Sequence, residues 1–137
     1  MKTFTDYLWM NTKNQREIIN ITNQVEAIVE KSKVSEGMVL VSAMHITASI
    51  FVNDEESGIK QDLLEWAEKI APFNPNYNHH KTGESNGDAH LNSILFHHEV
   101  TIPITKGKLD FGPWQQVFYG EFDGQRKKRV IVKVLGE

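Results

Sequence analysis

No cysteine occurs in the 137 residues. A disulfide scaffold and a thiolate zinc site are both excluded, so any metal must rest on His, Asp, Glu or carbonyl oxygen. The absence of Cys fits the cytoplasm. No apolar run approaches the roughly 20 residues that a membrane helix needs. Met1-Lys2-Thr3-Phe4-Thr5-Asp6 lacks the apolar core of a secretory signal. A soluble cytoplasmic protein without a membrane partner is the expectation. An excess of positive charge is missing as well. The formal net charge is −3, which argues against bulk capture of nucleic acid. No glycine-rich loop follows a strand pattern, so the usual nucleotide folds are unsupported.

What is present is ordinary for a folded domain. Hydrophobic residues make up 39% and charged residues 24%, and the length suits one domain over residues 1–137. Thr3 to Met10 reads as a strand and Glu17 to Ile21 as a short second one. Thr22 has the hydroxyl of a helix N-cap, and Ile21, Val25, Ile28 and Val29 follow at helical spacing. Met38 to Met44 and Ala48 to Val52 read as strands. Ser57 to Ala71 is the strongest helix, with Ile59, Leu63, Trp66, Ala67 and Ile70 on one face and Pro72 as its stop.

Phe73 to Asp88 is polar and reads as a long loop, the kind that often carries function. A short helix is expected from about Asp88 to Phe96, then a strand from Val100 to Thr105. The end of the chain has the pattern of a hairpin: Gln115 to Phe122, an Asp123-Gly124 turn, and Arg126 to Leu135. Strands intermixed with helices favour an α+β fold, a largely antiparallel or mixed sheet arrangement with two to three helices.

The chemistry-bearing candidates begin with six histidines. His45 ends a strand, His79 and His80 lie in the long loop, and His90 lies just inside the next helix. Strand ends and loops are where folds gather reactive groups. Three neutral imidazoles can hold Zn²⁺ and leave a fourth position open, although no local ligand motif links these three, and a packed, hydrogen-bonded His is the commoner case. His97-His98 follows a helix end, where the dipole favours cations. Glu55 and Asp62 are candidates for a general base or for orienting a His; the plainer reading is a helix start and a solvated face. Gln125-Arg126-Lys127-Lys128-Arg129 is either a charged edge strand or an anion clamp suited to phosphate. The aromatics do not interleave with these charges, so a nucleic-acid surface is not expected.

Together these segments resemble a known family. His45-Ile46-Thr47-Ala48 with Asn53, Glu55 and Asp62, then Tyr77-Asn78-His79, then Asn86-Gly87-Asp88-Ala89-His90-Leu91, follow the signatures of the YjbQ-like family in order. Ile102-Pro103-Ile104, Gly107, Gly112-Pro113-Trp114-Gln115 and Glu121-Phe122-Asp123-Gly124 with Arg126 complete the match. Lys128 stands where that pattern has a second Arg, and His80 where an acidic residue is common.

The resemblance implies a compact α+β homotrimer with a secondary thiamine-phosphate synthase activity, which joins a pyrimidine pyrophosphate to a thiazole phosphate. For that chemistry a divalent metal is expected on His45, His79 and His90, with Zn²⁺ expected and Mg²⁺ the alternative. Catalytic roles would fall to His45, Glu55 and Asp62, and substrate or anion binding to Asn53, Asn86, Gln115 and Arg126. Two other readings stand beside it: a zinc-dependent hydrolase or lyase of another small phosphorylated molecule, and a non-catalytic trimer that binds metal or anion.

Overall fold

The computed structural model describes every residue from Met1 to Glu137. In chain order its elements are β1 (Lys2–Met10), β2 (Glu17–Asn20), α1 (Thr22–Ser32), β3 (Gly37–Ala43), β4 (Ala48–Asn53), α2 (Ser57–Ile70), a 3-10 turn (Asn78–Thr82), α3 (Gly87–Phe96), β5 (Glu99–Thr105), β6 (Lys108–Leu109), β7 (Gln116–Glu121) and β8 (Lys128–Gly136). The class is α+β. One sheet has the order β1-β8-β3-β5-β6 and the other β2-β7-β4, and every strand pairing is antiparallel.

Side-chain alternation explains the layering. Val130, Val132 and Val134 of β8 point inward with Val39 and Val41 of β3, while Arg129, Lys133 and Leu135 face solvent. The five-stranded sheet therefore has one dry face. The three-stranded sheet is dry on both. Val117 and Tyr119 of β7 join the main core with Ala48 and Ile50 of β4, and α1 adds Val25, Ile28 and Val29 to it. On the other face Phe118 of β7 and Phe51 of β4 stack with ring centroids 5.6 Å apart. Phe96 and Phe122, with Ala67 of α2 and Ala89 of α3, complete this second core. Each such full burial contributes roughly 1.5–3 kcal/mol for a large apolar side chain.

Three local expectations are corrected. Ile21, not Thr22, precedes α1 as its cap residue and makes no side-chain cap bond. The Thr22 hydroxyl instead donates to Asn20 Oδ1 at 2.7 Å and accepts from the Val117 N–H at 2.8 Å, tying the helix start to β7. The loop 73–88 contains the 3-10 turn. The terminal hairpin does not form. β7 and β8 lie in different sheets, and Asp123-Gly124 belongs to a crossing between them. Gln125 adopts the left-handed conformation there, at φ 66°. Glu121 and Lys128 at the mouth of this crossing take up its backbone groups, which no ladder partner satisfies.

At α2 the helical pattern holds but the burial does not. Glu56 caps the helix, accepting from the Gly58 and Ile59 N–H groups. Of the apolar face only Ala67 is buried, and Trp66 and Ile70 are 45% and 57% exposed. No helix is long and apolar enough to cross a membrane.

Candidate functional site

Each passage between the sheets must break a ladder, and three of these passages stack at one end of the molecule. Residues 11–16 lead from β1 to β2, 44–47 from β3 to β4, and 122–127 from β7 to β8. They bond to one another: the Phe122 N–H donates to Thr47 O at 3.2 Å, Gly124 N–H to Gln15 O at 3.0 Å and Gln125 N–H to Thr12 O at 3.2 Å. Such connectors, held by rigid sheets, are favourable places for functional side chains.

A buried ion pair underlies this end. Lys128 and Glu121 side chains are both fully buried and in direct contact. Lys128 Nζ also donates to Thr47 Oγ1 at 2.8 Å and to Asp123 O at 3.0 Å. Glu121 accepts from Tyr119 Oη at 2.7 Å and from the Asp123 N–H at 3.2 Å. All three ammonium donors and both carboxylate oxygens are thus engaged, the condition under which a buried pair is tolerated. Burial pushes the Lys128 pKa down, opposed by its bond to Glu121. Burial pushes Tyr119 up, helped by the neighbouring carboxylate.

Above this pair sits His45. Its Nδ1 lies 2.9 Å from Thr47 Oγ1, and it accepts from the Thr47 backbone N–H at 3.2 Å. A backbone N–H only donates. That long bond favours an unprotonated Nδ1, and the shorter contact from the Thr47 hydroxyl completes the arrangement in which a neutral His45 carries its proton on Nε2. Burial lowers the His45 pKa, and the Lys128 charge lowers it further.

Asp123 is buried beside it. Its Oδ1 accepts from Gln15 Nε2 at 2.9 Å and its Oδ2 from Asn86 Nδ2 at 3.0 Å, with Arg126 Nη2 3.6 Å from Oδ2. Burial works to raise the Asp123 pKa. The hydrogen bonds from Asn86 and Gln15 and the charges of Arg126 and Lys128 outweigh it, so the carboxyl sits below its usual range.

The other imidazoles arrive on the 3-10 turn and α3. His79 packs edge-on against His90 with ring centroids 4.5 Å apart. Burial and the facing His79 hold the His90 pKa below its ordinary value. His80 is spoken for: its Nδ1 donates to Pro75 O at 3.1 Å and its Nε2 accepts from the Gly87 N–H at 2.9 Å. Gly87 is required at this spot because a Cβ would lie 2.8 Å from the Tyr77 side chain. Arg16, from the first connector, braces the same region through Asp88 at 2.9 Å and Ala71 O at 3.2 Å.

His45, His90 and His98 line one cleft of about 450 Å³, edged by Met44, Ile46 and Ile94. A depression of about 560 Å³ lies elsewhere, between α1 and the β5–β6 turn. It sets Glu26 and Glu30 against Lys106 and Lys108 and contains no imidazole, so the chemistry favours the histidine cleft.

Of the residues singled out from sequence, His45, His79, His90, Asn86 and Arg126 meet at this end. Asn53, Glu55 and Gln115 do not. Ala48 pairs with Glu121 at the histidine end of β4 and β7, and Asn53 pairs with Gln116 at the other. Both strands are six residues long, which separates their ends by about 17 Å at the usual strand rise. There Asn20 Nδ2 donates to Glu55 Oε1 and to Gln116 Oε1, each at 3.2 Å. Gln115 Oε1 accepts from the Gly112 N–H at 2.8 Å. Lys60, bonded to Glu55 at 2.5 Å, holds that carboxyl below its ordinary pKa. Asp62 is exposed on α2.

Thr47, Glu121, Asp123 and Gln15 were not among the sequence candidates, and Lys128, read as part of a charged edge strand or an anion clamp, is instead buried in an inner strand against Glu121. Its burial left a signal: Lys128 is in phase with the inward valines at 130, 132 and 134, a charge on a core-facing position.

The donor set can be tested against the implied metal. No group of three or more His, Asp or Glu is placed to hold an ion. With Nδ1 taken up by Thr47, a neutral His45 has a proton rather than a lone pair on Nε2. The three histidines therefore do not fit a three-ligand metal site within one chain.

The comparisons with known proteins follow the same outline. A protein from Archaeoglobus fulgidus described as a UPF0047 protein is 43% identical over 128 residues, covering 93% of this chain and 98% of its own. A UPF0047 protein of Methanothermobacter thermautotrophicus is 34% identical over 137 residues, covering 100% of this chain and 95% of its own. The crystal structure of a YbjQ-like protein of unknown function from Sulfolobus solfataricus superposes with a TM-score of 0.92 at 36% identity, covering 99% of both chains. The family model described as UPF0047 protein YjbQ-like matches residues 6–137, a span that takes in all three connectors and every histidine, and the chain belongs to that family.

Proposed function

We propose that the histidine cleft binds a small phosphorylated substrate and that the chain is a secondary thiamine-phosphate synthase. The observation that carries this reading is the convergence, at one end of the molecule, of a His45 Nε2–H donor in the cleft it shares with His90, of His79 packed on His90, and of the Arg126 guanidinium beside Asp123. These are the groups that an anionic leaving group requires, because donors and fixed positive charge stabilise charge where it develops.

In the reaction the thiazole nitrogen attacks the pyrimidine methylene carbon. The new C–N bond forms as the C–O bond to pyrophosphate breaks. The bonding electron pair leaves with the pyrophosphate oxygen, and the ring nitrogen becomes cationic. His45 Nε2–H and Arg126 would hold the departing pyrophosphate. Asp123, pinned by Asn86 and Gln15, would fix the direction of Arg126. No step is assigned to a metal.

A homotrimer belongs to the same proposal. Trp66 and Ile70 of α2 and Ile94 of α3 are 45%, 57% and 78% exposed, apolar side chains that a second subunit would cover. Assembly would also give Asn53, Glu55 and Gln115 of one subunit a route to the histidines of another.

The test is thiamine-phosphate formation from the two purified precursors, with wild type beside His45→Ala and each with and without a chelator, after light scattering has established the mass. Product from wild type that is lost in His45→Ala supports the synthase. No product from a folded wild-type oligomer would overturn it.

A further inference from the structure

We propose that Lys128 is a positioning residue for His45, acting through Thr47 to present Nε2–H, a hydrogen-bond donor, to the cleft. The inference rests on the reading above that His45 faces the ligand, and it adds the device that sets which nitrogen does so.

The argument runs along the hydrogen bonds. An ammonium has donors only. Lys128 Nζ lies 2.8 Å from Thr47 Oγ1, so in that bond Oγ1 accepts. The hydroxyl keeps one hydrogen, and the neighbour placed to receive it is His45 Nδ1, at 2.9 Å. Without Lys128 the hydroxyl would be free to turn and offer a lone pair to a protonated Nδ1. With Lys128 in place both donors of Thr47, hydroxyl and backbone N–H, aim at the same ring nitrogen. The proton of a neutral ring is thereby placed on Nε2. The ammonium itself cannot swing away. It is fully buried, and its other two hydrogens are held by Glu121 and by the Asp123 carbonyl.

The consequence concerns ligand class. An imidazole that offers N–H recognises an oxyanion; one that offers a lone pair recognises a cation. This chain places the ammonium at the bottom of the relay, and the cleft receives the donor form. A phosphate oxygen fits that face of His45, and a divalent ion does not.

The test reads the tautomer directly. Two-bond ¹H–¹⁵N spectra of histidine-labelled protein at pH 7.5 would be recorded for wild type, Thr47→Val, Thr47→Ser, and the paired Lys128→Met, Glu121→Gln variant, which leaves no lone buried charge. Wild type and Thr47→Ser are expected to show His45 wholly as Nε2–H. Thr47→Val and the paired variant should lose that single pattern and show both tautomers, with the backbone amide spectrum otherwise kept. A wild-type ring protonated on Nδ1 would overturn the proposal, and so would a folded paired variant that stays wholly Nε2–H. If the paired variant does not fold, an unchanged tautomer in Thr47→Val is equally fatal, because that hydroxyl is the one hydrogen-bonded link from Lys128 to the ring. Inorganic phosphate added to wild type separates the two readings. A shifted His45 signal supports the cleft as an oxyanion site, whereas the Nε2–H pattern without any shift would sink the phosphorylated substrate and leave the positioning role standing.

Discussion

The two ends of the β4–β7 strand pair use polar residues in opposite ways. At the histidine end a charge pair lies underneath: Glu121 and Lys128 are fully buried and fully bonded, while His45, His90 and Arg126 reach solvent. At the far end Asn53, Glu55 and Gln115 lie at the surface and Asn20 is half-buried, and the Glu55–Lys60 ion pair there is open to solvent. A buried network costs desolvation and is kept only where it holds something in place. The first end thus fixes geometry from beneath, and the second leaves its polar groups in contact with solvent.

The sharpest way to break this comparison is to remove the buried cation. Lys128→Met leaves Glu121 as an uncompensated carboxylate in the core, and losing one member of a buried pair costs about 3–5 kcal/mol. Urea denaturation should show an unfolding free energy lower by that amount, read as a lower midpoint at unchanged slope. The paired Lys128→Met, Glu121→Gln variant should recover much of it. A single variant as stable as wild type would mean that the pair carries little structural weight.

Activity separates the ends next. His45→Ala should lower thiamine-phosphate formation at least about a hundredfold, the lower range for loss of a single donor to developing charge, with little change in the urea midpoint because the ring is only partly buried. Glu55→Ala and Gln115→Ala should change it far less if the far end stays about 17 Å away. If they match His45→Ala in a protein whose mass is that of a trimer, the site is completed between subunits.

A third variant weighs the far end by itself. Glu56 begins α2 just beyond Glu55, and its carboxylate accepts from Gly58 and Ile59 at 2.5 and 2.8 Å. Glu56→Ala should cost about 1 kcal/mol, typical for a lost N-cap, with activity kept. A larger loss of activity than of stability would place this helix start in the site.

These contrasts also show what could be read in advance. The ladder strands and α2 were legible because alternation and 3.6-residue spacing are local. His45, His79, His90, Asn86 and Arg126 were legible as a group only through family resemblance, since no spacing rule joins a strand end, a 3-10 turn and a helix start. The terminal hairpin misled for a physical reason. Asp123-Gly124 has the composition of a tight turn, but Gln125 takes the left-handed conformation and the strands part into two sheets. The same parting creates the crossing that Lys128 and Glu121 satisfy. Trp66 and Ile70 carried a core pattern, yet they are uncovered in one chain; periodicity identifies an apolar face without saying what covers it.

The smallest expected effect, and the one most specific to the histidine end, is the pH dependence of stability. His45 and His90 both have folded-state pKa values below the ordinary 6.5, His45 from burial and then the Lys128 charge, His90 from burial and then His79. The unfolded chain protonates at the ordinary value, so below it the unfolded state binds more protons than the native one, and stability rises with pH where that is true. The contribution is complete above about pH 7 and is lost as pH falls below the unfolded value near 6.5. Wild type should therefore lose stability between pH 7 and pH 5.5, and a His45→Gln, His90→Gln variant should lose less over the same interval. Glu55, whose folded pKa is lowered by Lys60, acts at lower pH: its contribution is present above the ordinary carboxylate value and fades as pH falls through the depressed one. The two ends thus separate on the pH axis. Urea midpoints measured at half-unit steps from pH 7.5 to 3.5 should show the histidine variants diverging from wild type first and Glu55→Gln only below about pH 5. A double-histidine variant that tracks wild type down to pH 5.5 would mean that the cleft admits enough water to leave both rings at their ordinary values, and the buried cation beneath them would then act through geometry alone.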